Sequence, residues 1–308
     1  MIVAPPGYQP VYNPSIPHVR PIYGGLKSGM SIYVQGMIPQ NITLFILNLK
    51  CGEAEGSDIA FTFNPRFDGV DKVVFNSRQD GKWQEEKTEC TPFKKNNAFE
   101  LVIIVNQEEY QVLVNGKEFY KFKHSIPVEK VCALQIGGDV SIQTINVIGG
   151  GYPGGIQPTI PGPVYNAAMP FSGKIPGGMS FNRTIIIRGK VPLKANRFLV
   201  SLLVGGTKDI AFCFNPRIQE RVVVRNSFFA GAWGQEERQV SLYPFQEGQY
   251  FDVTIRCGNQ RYKVFVNGQH ICDYNHRYAN LSQIDTLELT EDLEVSYVYY
   301  TFPLNMYM

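Results

Sequence analysis

The sequence predicts an all-β protein made of two tandem antiparallel sandwiches, and three observations predict it. From Gly25 onward, short runs of β-branched and aromatic residues alternate with turn signals, and no long helical periodicity interrupts them. Asn115-Gly116 and Asn267-Gly268 lie 152 positions apart, each between strand-like runs, and such pairs favour two-residue hairpins because both turn positions need positive φ. Finally, one ordered stretch occurs twice. Its fuller copy reads Ala211-Phe212-Cys213-Phe214-Asn215-Pro216-Arg217, then Val224-Arg225-Asn226, then Trp233-Gly234-Gln235-Glu236-Glu237-Arg238. The other reads Ala60-Phe61-Thr62-Phe63-Asn64-Pro65-Arg66, then Val74-Phe75-Asn76, then Trp83-Gln84-Glu85-Glu86-Lys87-Thr88.

The elements follow in order. Residues 1–20 are rich in Pro, Tyr and Asn, which favours an extended, polyproline-like arm. A first domain over 21–149 has strand-like runs at 31–35, 44–50, 59–64, 72–77, 83–89, 98–106, 111–114, 117–122, 131–136 and 140–148. That many short strands suit a two-sheet antiparallel sandwich. Residues 150–170 mix glycine with proline, a composition that makes a linker and not a core. A second domain fills 171–308 and ends in a short tail. Val34-Gln35-Gly36 with Pro39 matches Ile187-Arg188-Gly189 with Pro192, and His124 matches His276, so the duplication spans nearly the whole of both halves.

Composition narrows the function. With 308 residues, 44% apolar content and 18% charged residues, the chain can bury two cores without staples. A net charge of +2 gives no general attraction to nucleic acid or anionic lipid, so nucleic acid is not an expected partner. The longest apolar runs, such as Leu101-Val102-Ile103-Ile104-Val105, fall far below the ~20 residues of a membrane span, so no membrane insertion is expected. Six cysteines without CxxC spacing read as free thiols in a reducing compartment. The first residues lack a basic segment followed by an apolar one. The expectation is therefore a cytoplasmic protein, with any release to the outside independent of a signal peptide. Self-association is left open.

The repeated stretch carries the chemistry. Side chains alternate faces along a strand, so Cys213, Asn215 and Arg217 share one face while Phe212 and Phe214 point into the sandwich. The next strands add Val224 with Asn226, and Glu236 with Arg238, which makes a solvent-facing polar patch edged by Trp233. Asn, Arg and Glu supply fixed donors and acceptors, and an exposed indole supplies a flat apolar face. A polar ligand with one apolar face, such as a pyranose sugar, fits this description.

Both halves resemble the galectin carbohydrate-recognition domain, whose pattern is His-x-Asn-Pro-Arg, Val-x-Asn, Trp-Gly-x-Glu-x-Arg. With the Tyr/Pro-rich arm, the chain looks most like a tandem-repeat galectin of the galectin-four type. The resemblance implies two jelly-roll sandwiches that bind β-galactosides on glycoproteins or glycolipids. It makes Asn215 and Arg217 ligands of the galactose O4, Asn226 and Glu236 ligands of O6, and Trp233 the stacking platform. Glu236 would also orient Arg217, and Arg238 would reach the neighbouring sugar. In the first domain the same carry-over gives Asn64, Arg66, Asn76, Trp83 and Glu86.

The departures matter as much as the matches. Where the family has the histidine that bonds the axial O4, this chain has Thr62 and Cys213. Losing one ligand hydrogen bond in a partly buried site costs roughly 1–3 kcal/mol, about five- to 150-fold in affinity. The axial O4 separates galactose from glucose, so specificity should also relax or shift. The first domain further has Gln84 for the family glycine and Thr88 for its second arginine. The second domain is therefore expected to be the better site. The alternative is a galectin-related structural or protein-interaction module with little sugar binding.

Enzymatic chemistry is not expected. Glu85 and Glu86 are adjacent in the sequence, as are Glu236 and Glu237, so each pair points to opposite faces and does not flank a sugar. No histidine closely precedes Cys213 to activate it as a nucleophile. By alternation His270 and Cys272 share a strand face, but the first copy has no matching ligands, so neither a metal nor a cofactor is expected.

Overall fold

The structure is a computed structural model that describes residues 10–148 and 164–301. The chain divides into two compact units, Met1–Pro158 and Thr159–Met308. In the first unit the strands are β1 (Val11–Tyr12), β2 (His18–Pro21), β3 (Ser31–Met37), β4 (Phe45–Lys50), β5 (Ile59–Arg66), β6 (Lys72–Gln79), β7 (Lys82–Trp83), β8 (Lys87–Cys90), β9 (Ala98–Val105), β10 (Glu109–Val114), β11 (Lys117–Lys123), β12 (Ala133–Gly138) and β13 (Ser141–Ile148). The second has β14 (Val164–Tyr165), β15 (Phe171–Lys174), β16 (Thr184–Lys190), β17 (Phe198–Val204), β18 (Ile210–Arg217), β19 (Val222–Phe229), β20 (Ala232–Trp233), β21 (Tyr250–Cys257), β22 (Arg261–Val266), β23 (Gln269–Asn275), β24 (Ile284–Glu291) and β25 (Glu294–Thr301).

Each unit is a jelly-roll sandwich of two antiparallel sheets. In the first, the order β1-β13-β3-β9-β10-β11 faces β2-β12-β4-β5-β6-β7, with β8 also pairing β6. In the second, β14-β25-β16-β21-β22-β23 faces β15-β24-β17-β18-β19-β20. Alternation fills the space between them. Leu47, Phe61, Phe63 and Phe75 meet Ile32, Val34, Leu101 and Ile103 in one core, and Val200, Phe212, Phe214 and Leu287 meet Ile185, Ile187, Val253 and Val264 in the other. One cross-sheet stack is duplicated too: Phe45 lies on Phe99 with centroids 5.6 Å apart, and Phe198 lies on Phe251 at 5.2 Å.

The Asn-Gly turns form as expected. Asn115 and Gly116 take φ of 50° and 77°, and Asn267 and Gly268 take 49° and 77°, joining β10 to β11 and β22 to β23. Each turn asparagine also accepts a backbone N–H across the sheet, from Glu100 and from Asp252 at 2.9 Å.

Four expectations are corrected. Of the arm over 1–20, residues 1–9 lie outside the described residues, while β1 pairs β13 and β2 pairs β12 as edge strands. An edge position tolerates Pro21 because one side of the strand needs no ladder donor. Of the linker over 150–170, residues 150–163 lie outside the described residues, and β14 pairs β25; the tail over 302–308 lies outside as well. The single strand expected at 83–89 is two. Arg78 pairs Trp83, yet Phe75 pairs Lys87, so the register shifts by one residue across 84–86. Finally, His270 is exposed and Cys272 buried, because Phe265 pairs His270 while Val264 pairs Cys272, leaving Ile271 unopposed in a bulge.

Candidate functional site

The repeated stretch sits at one end of a sheet in each unit, on β5-β6-β7 and on β18-β19-β20. Register brings its members together: Thr62 pairs Asn76 and Cys213 pairs Asn226. The one-residue shift recurs in both copies, since Phe228 pairs Trp233 while Arg225 bridges Glu237. Bulges of this kind re-aim side chains beside functional sites, and here the shift lets a glutamate reach back over the sheet.

In the second unit this produces a charged chain above a polar floor. Asn215 donates from Nδ2 to the carbonyl of Phe198 at 2.8 Å, and its Oδ1 accepts Arg217 Nε at 3.2 Å. Arg217 Nη2 lies 3.5 Å from Glu236 Oε1, and Glu236 Oε2 accepts Arg238 Nε and Nη2 at 2.8 and 2.6 Å. Glu236 therefore lies between both arginines, and Arg217 Nη1 also donates to Glu220 at 3.4 Å. Asn226 donates to the carbonyl of Gly234 at 2.8 Å and accepts the Ser227 N–H. Trp233 is 51% exposed, with the edge of Phe228 against it at 5.3 Å.

The first unit repeats the floor but shortens the chain. Asn64 bonds the Phe45 carbonyl and receives Arg66 Nε, both at 2.8 Å, and Arg66 Nη2 lies 3.4 Å from Glu86 Oε1. The chain stops at that glutamate. Thr88 stands where the second copy has Arg238, and Lys87 bonds the exposed Glu85 at 2.6 Å. Trp83 is 53% exposed, with the Arg78 guanidinium 5.7 Å from its ring centre. That guanidinium is fixed by the carbonyls of Glu55 and Ser57.

The expectation that the whole polar face is open to solvent is corrected. Thr62, Asn64, Cys213 and Asn215 are only 3–6% exposed, because they are short and their polar atoms are engaged by neighbouring strands. Thr62 Oγ1 donates to Asn48 Oδ1 at 2.7 Å, and Asn48 donates on to Gln135 Oε1 at 3.0 Å. Ser201 donates to Cys213 Sγ at 3.8 Å. Burial pushes the Cys213 thiol up to about 11, with a smaller opposing effect from the Ser201 hydroxyl, so it remains protonated at neutral pH and is no nucleophile. Asn48 and Ser201 escaped the motif because they come from other strands, and Arg277 because it comes from the segment that follows β23. Register pairing of Asn48 with Thr62 and of Ser201 with Cys213 is the signal that finds the first two.

The family described as galactoside-binding lectin matches residues 17–147 and again 170–300. The chain belongs to the galectins. Pig galectin-4 is 48% identical over 96% of this chain and 98% of its own length, and mouse galectin-6 is 48% identical over 96% and 99%. A 32 kDa beta-galactoside-binding lectin of Haemonchus contortus is 30% identical over 92% of this chain and 95% of its own. Two family matches in one chain make this a tandem-repeat galectin of the galectin-4 type. In this galectin Thr62 and Cys213, two positions before the asparagine of each Asn-Pro-Arg, are bonded within the sheet, where the family pattern has histidine. The family is one of carbohydrate binders, not enzymes. No helix among the described residues is long and apolar enough to cross a membrane.

Proposed function

We propose that this galectin is a bivalent lectin for β-galactoside-related glycans, that its second unit is the stronger site, and that selection at the sugar O4 is relaxed in both. One observation supports the ranking above others: Glu236 carries both Arg217 and Arg238 beside a half-exposed Trp233, whereas Glu86 carries only Arg66. Fixed donors and acceptors beside an open indole suit a sugar ring with one polar edge and one apolar face. In this reading Asn215, Arg217, Asn226, Glu236 and Arg238 bind hydroxyls in the second unit, and Asn64, Arg66, Asn76 and Glu86 do so in the first. Trp233 and Trp83 take the apolar face.

The relaxed O4 selection rests on Thr62 and Cys213. The threonine proton is spent on Asn48, and a thiol is a weak donor. Two tethered sites on one glycan surface raise avidity on the order of 10²–10⁴ over one. We further propose a cytoplasmic protein that meets glycans after export independent of the secretory pathway. Appearance in the medium despite blocked Golgi traffic is the expected result, and full retention would refute it.

The test of binding is calorimetry with lactose on the full chain carrying Trp83→Ala, Trp233→Ala or both. Trp233→Ala should remove most binding and Trp83→Ala little. If the unaltered chain ignores lactose and every member of a glycan array, the chain is a protein-interaction module instead.

A further inference from the structure

Arg277 lies outside the repeated motif, in the segment that follows β23, yet it touches the second site at three points. Its Nη1 donates to Asn226 Oδ1 at 3.1 Å, and its Nη2 donates to the Gln235 carbonyl at 2.8 Å and to Glu237 Oε1 at 2.9 Å. The guanidinium lies 4.8 Å from the centre of the Tyr274 ring, which adds a cation–π contact and fixes its plane. The two Nη2 contacts fall on the segment from Gly234 to Glu237, which carries the site glutamate and has little ladder support. In the first unit β8 pairs β6 over four positions, from Lys72 with Cys90 to Phe75 with Lys87. The second unit has only the bridge between Arg225 and Glu237 in its place.

Gly234 belongs to the same arrangement. A Cβ on Gly234 would come within 2.9 Å of Arg277 Nη1 and 3.2 Å of Asn226 Oδ1, so a side chain there would take the place of the guanidinium. The first unit differs at both positions together. Gln84 replaces the glycine, and Ser125, in the segment that follows β11, stands where the arginine would be and bonds Ser77 Oγ at 2.9 Å.

We propose that Arg277 is the positioning residue of the second site, orienting Asn226 and holding the segment that presents Glu236, and that Gly234 is a glycine in order to admit it. The effect on sugar affinity rests on the galactoside reading; the effect on the segment does not.

Two readouts on the full chain carrying Trp83→Ala test this. First, without sugar, Arg277→Ser should speed amide exchange at Gly234 and Glu237, whose N–H groups donate to Ser227 and Arg225, by about tenfold or more. Unchanged exchange at both overturns the proposal. Second, the unaltered site should prefer lactose over its 6′-deoxy analogue by about fivefold, the worth of one hydrogen bond. Arg277→Ser should bring that ratio towards one, and Arg277→Lys should restore part of it. Gly234→Gln should reproduce the serine variant without deleting any hydrogen-bonding group, and the double variant should be no worse than either single. Additive losses, or a ratio that stays at the unaltered value, overturn it. Failure of the unaltered chain to bind lactose refutes the lectin reading, and the exchange measurement then decides this one alone.

Discussion

Thr62 gives its only hydroxyl proton to Asn48, at 2.7 Å across the β4–β5 ladder. The hydroxyl is therefore a structural donor within the sheet, although it stands where the galectin pattern has a ligand histidine. Thr62→Val should leave lactose affinity of the first unit within about twofold, measured with Trp233→Ala in place. It should lower the stability of that unit by about 1–3 kcal/mol, because Asn48 Oδ1 is left without this donor in a buried place. A large affinity loss would show that the hydroxyl does face the sugar.

Cys213 raises the matching question in the second unit. Its side chain is buried against Ser201, and a thiol offers a sugar oxygen little. Cys213→His should strengthen lactose binding by roughly fivefold or more, the worth of one recovered hydrogen bond. It should also sharpen the preference for galactosides over glucosides that differ only at O4. Calorimetry on the chain carrying Trp83→Ala measures both, and an unchanged preference would show that O4 is read elsewhere.

How much of this was legible in the sequence follows from how each residue is placed. The two sandwiches, the Asn-Gly hairpins and the motif side chains are encoded locally, by period-two alternation and by residues that need positive φ. The partners Asn48 and Ser201 are set by register between distant strands, and Arg277 reaches the site from the segment after β23, none of which a local pattern states. The shift across 84–86 was hidden for a related reason. Trp83 to Glu89 reads as one continuous run, and a bulge changes pairing without changing composition. Alternation assigns Asn64 and Asn215 a face but does not state what covers it, so their burial has no local signal.

Alkaline pH should weaken the second unit more than the first. Burial pushes Cys213 up to about 11 and Cys257 and Cys272 up to about 12, from an ordinary 9.0. Between pH 9 and 11 the unfolded chain loses these protons while the folded chain keeps them, so stability is full below pH 9 and falls as pH rises. The slope is on the order of 1.4 kcal/mol per thiol per pH unit, as an upper estimate. Denaturant unfolding followed by Trp233 fluorescence in a Trp83→Phe chain should show the decline, and replacing all three cysteines with serine should flatten it. An equal slope in the serine variant would assign the effect to other groups.

Glu236 and Glu86 offer a comparison within one chain. Glu236 holds Arg217 and Arg238, whereas Glu86 holds Arg66 alone at 3.4 Å. A glutamine of the same shape keeps an acceptor oxygen and loses the charge that draws the guanidinium groups together. Glu86 and Glu236 are 48% and 39% exposed, so solvent screens each pair and the stability of either unit should hardly change. Binding is where the loss should appear, because the glutamate sets where its arginines meet the sugar. Glu236→Gln should weaken lactose binding by about tenfold, with Arg238 released and Arg217 left to Asn215 and Glu220, and Glu86→Gln should weaken the first site by a smaller factor. Raising salt from 50 to 500 mM should move the unaltered sites in the same direction, since screening loosens exposed pairs first. Equal losses for the two glutamines would mean that Arg238 adds nothing to the second site, and the ranking of the two units would then need another cause.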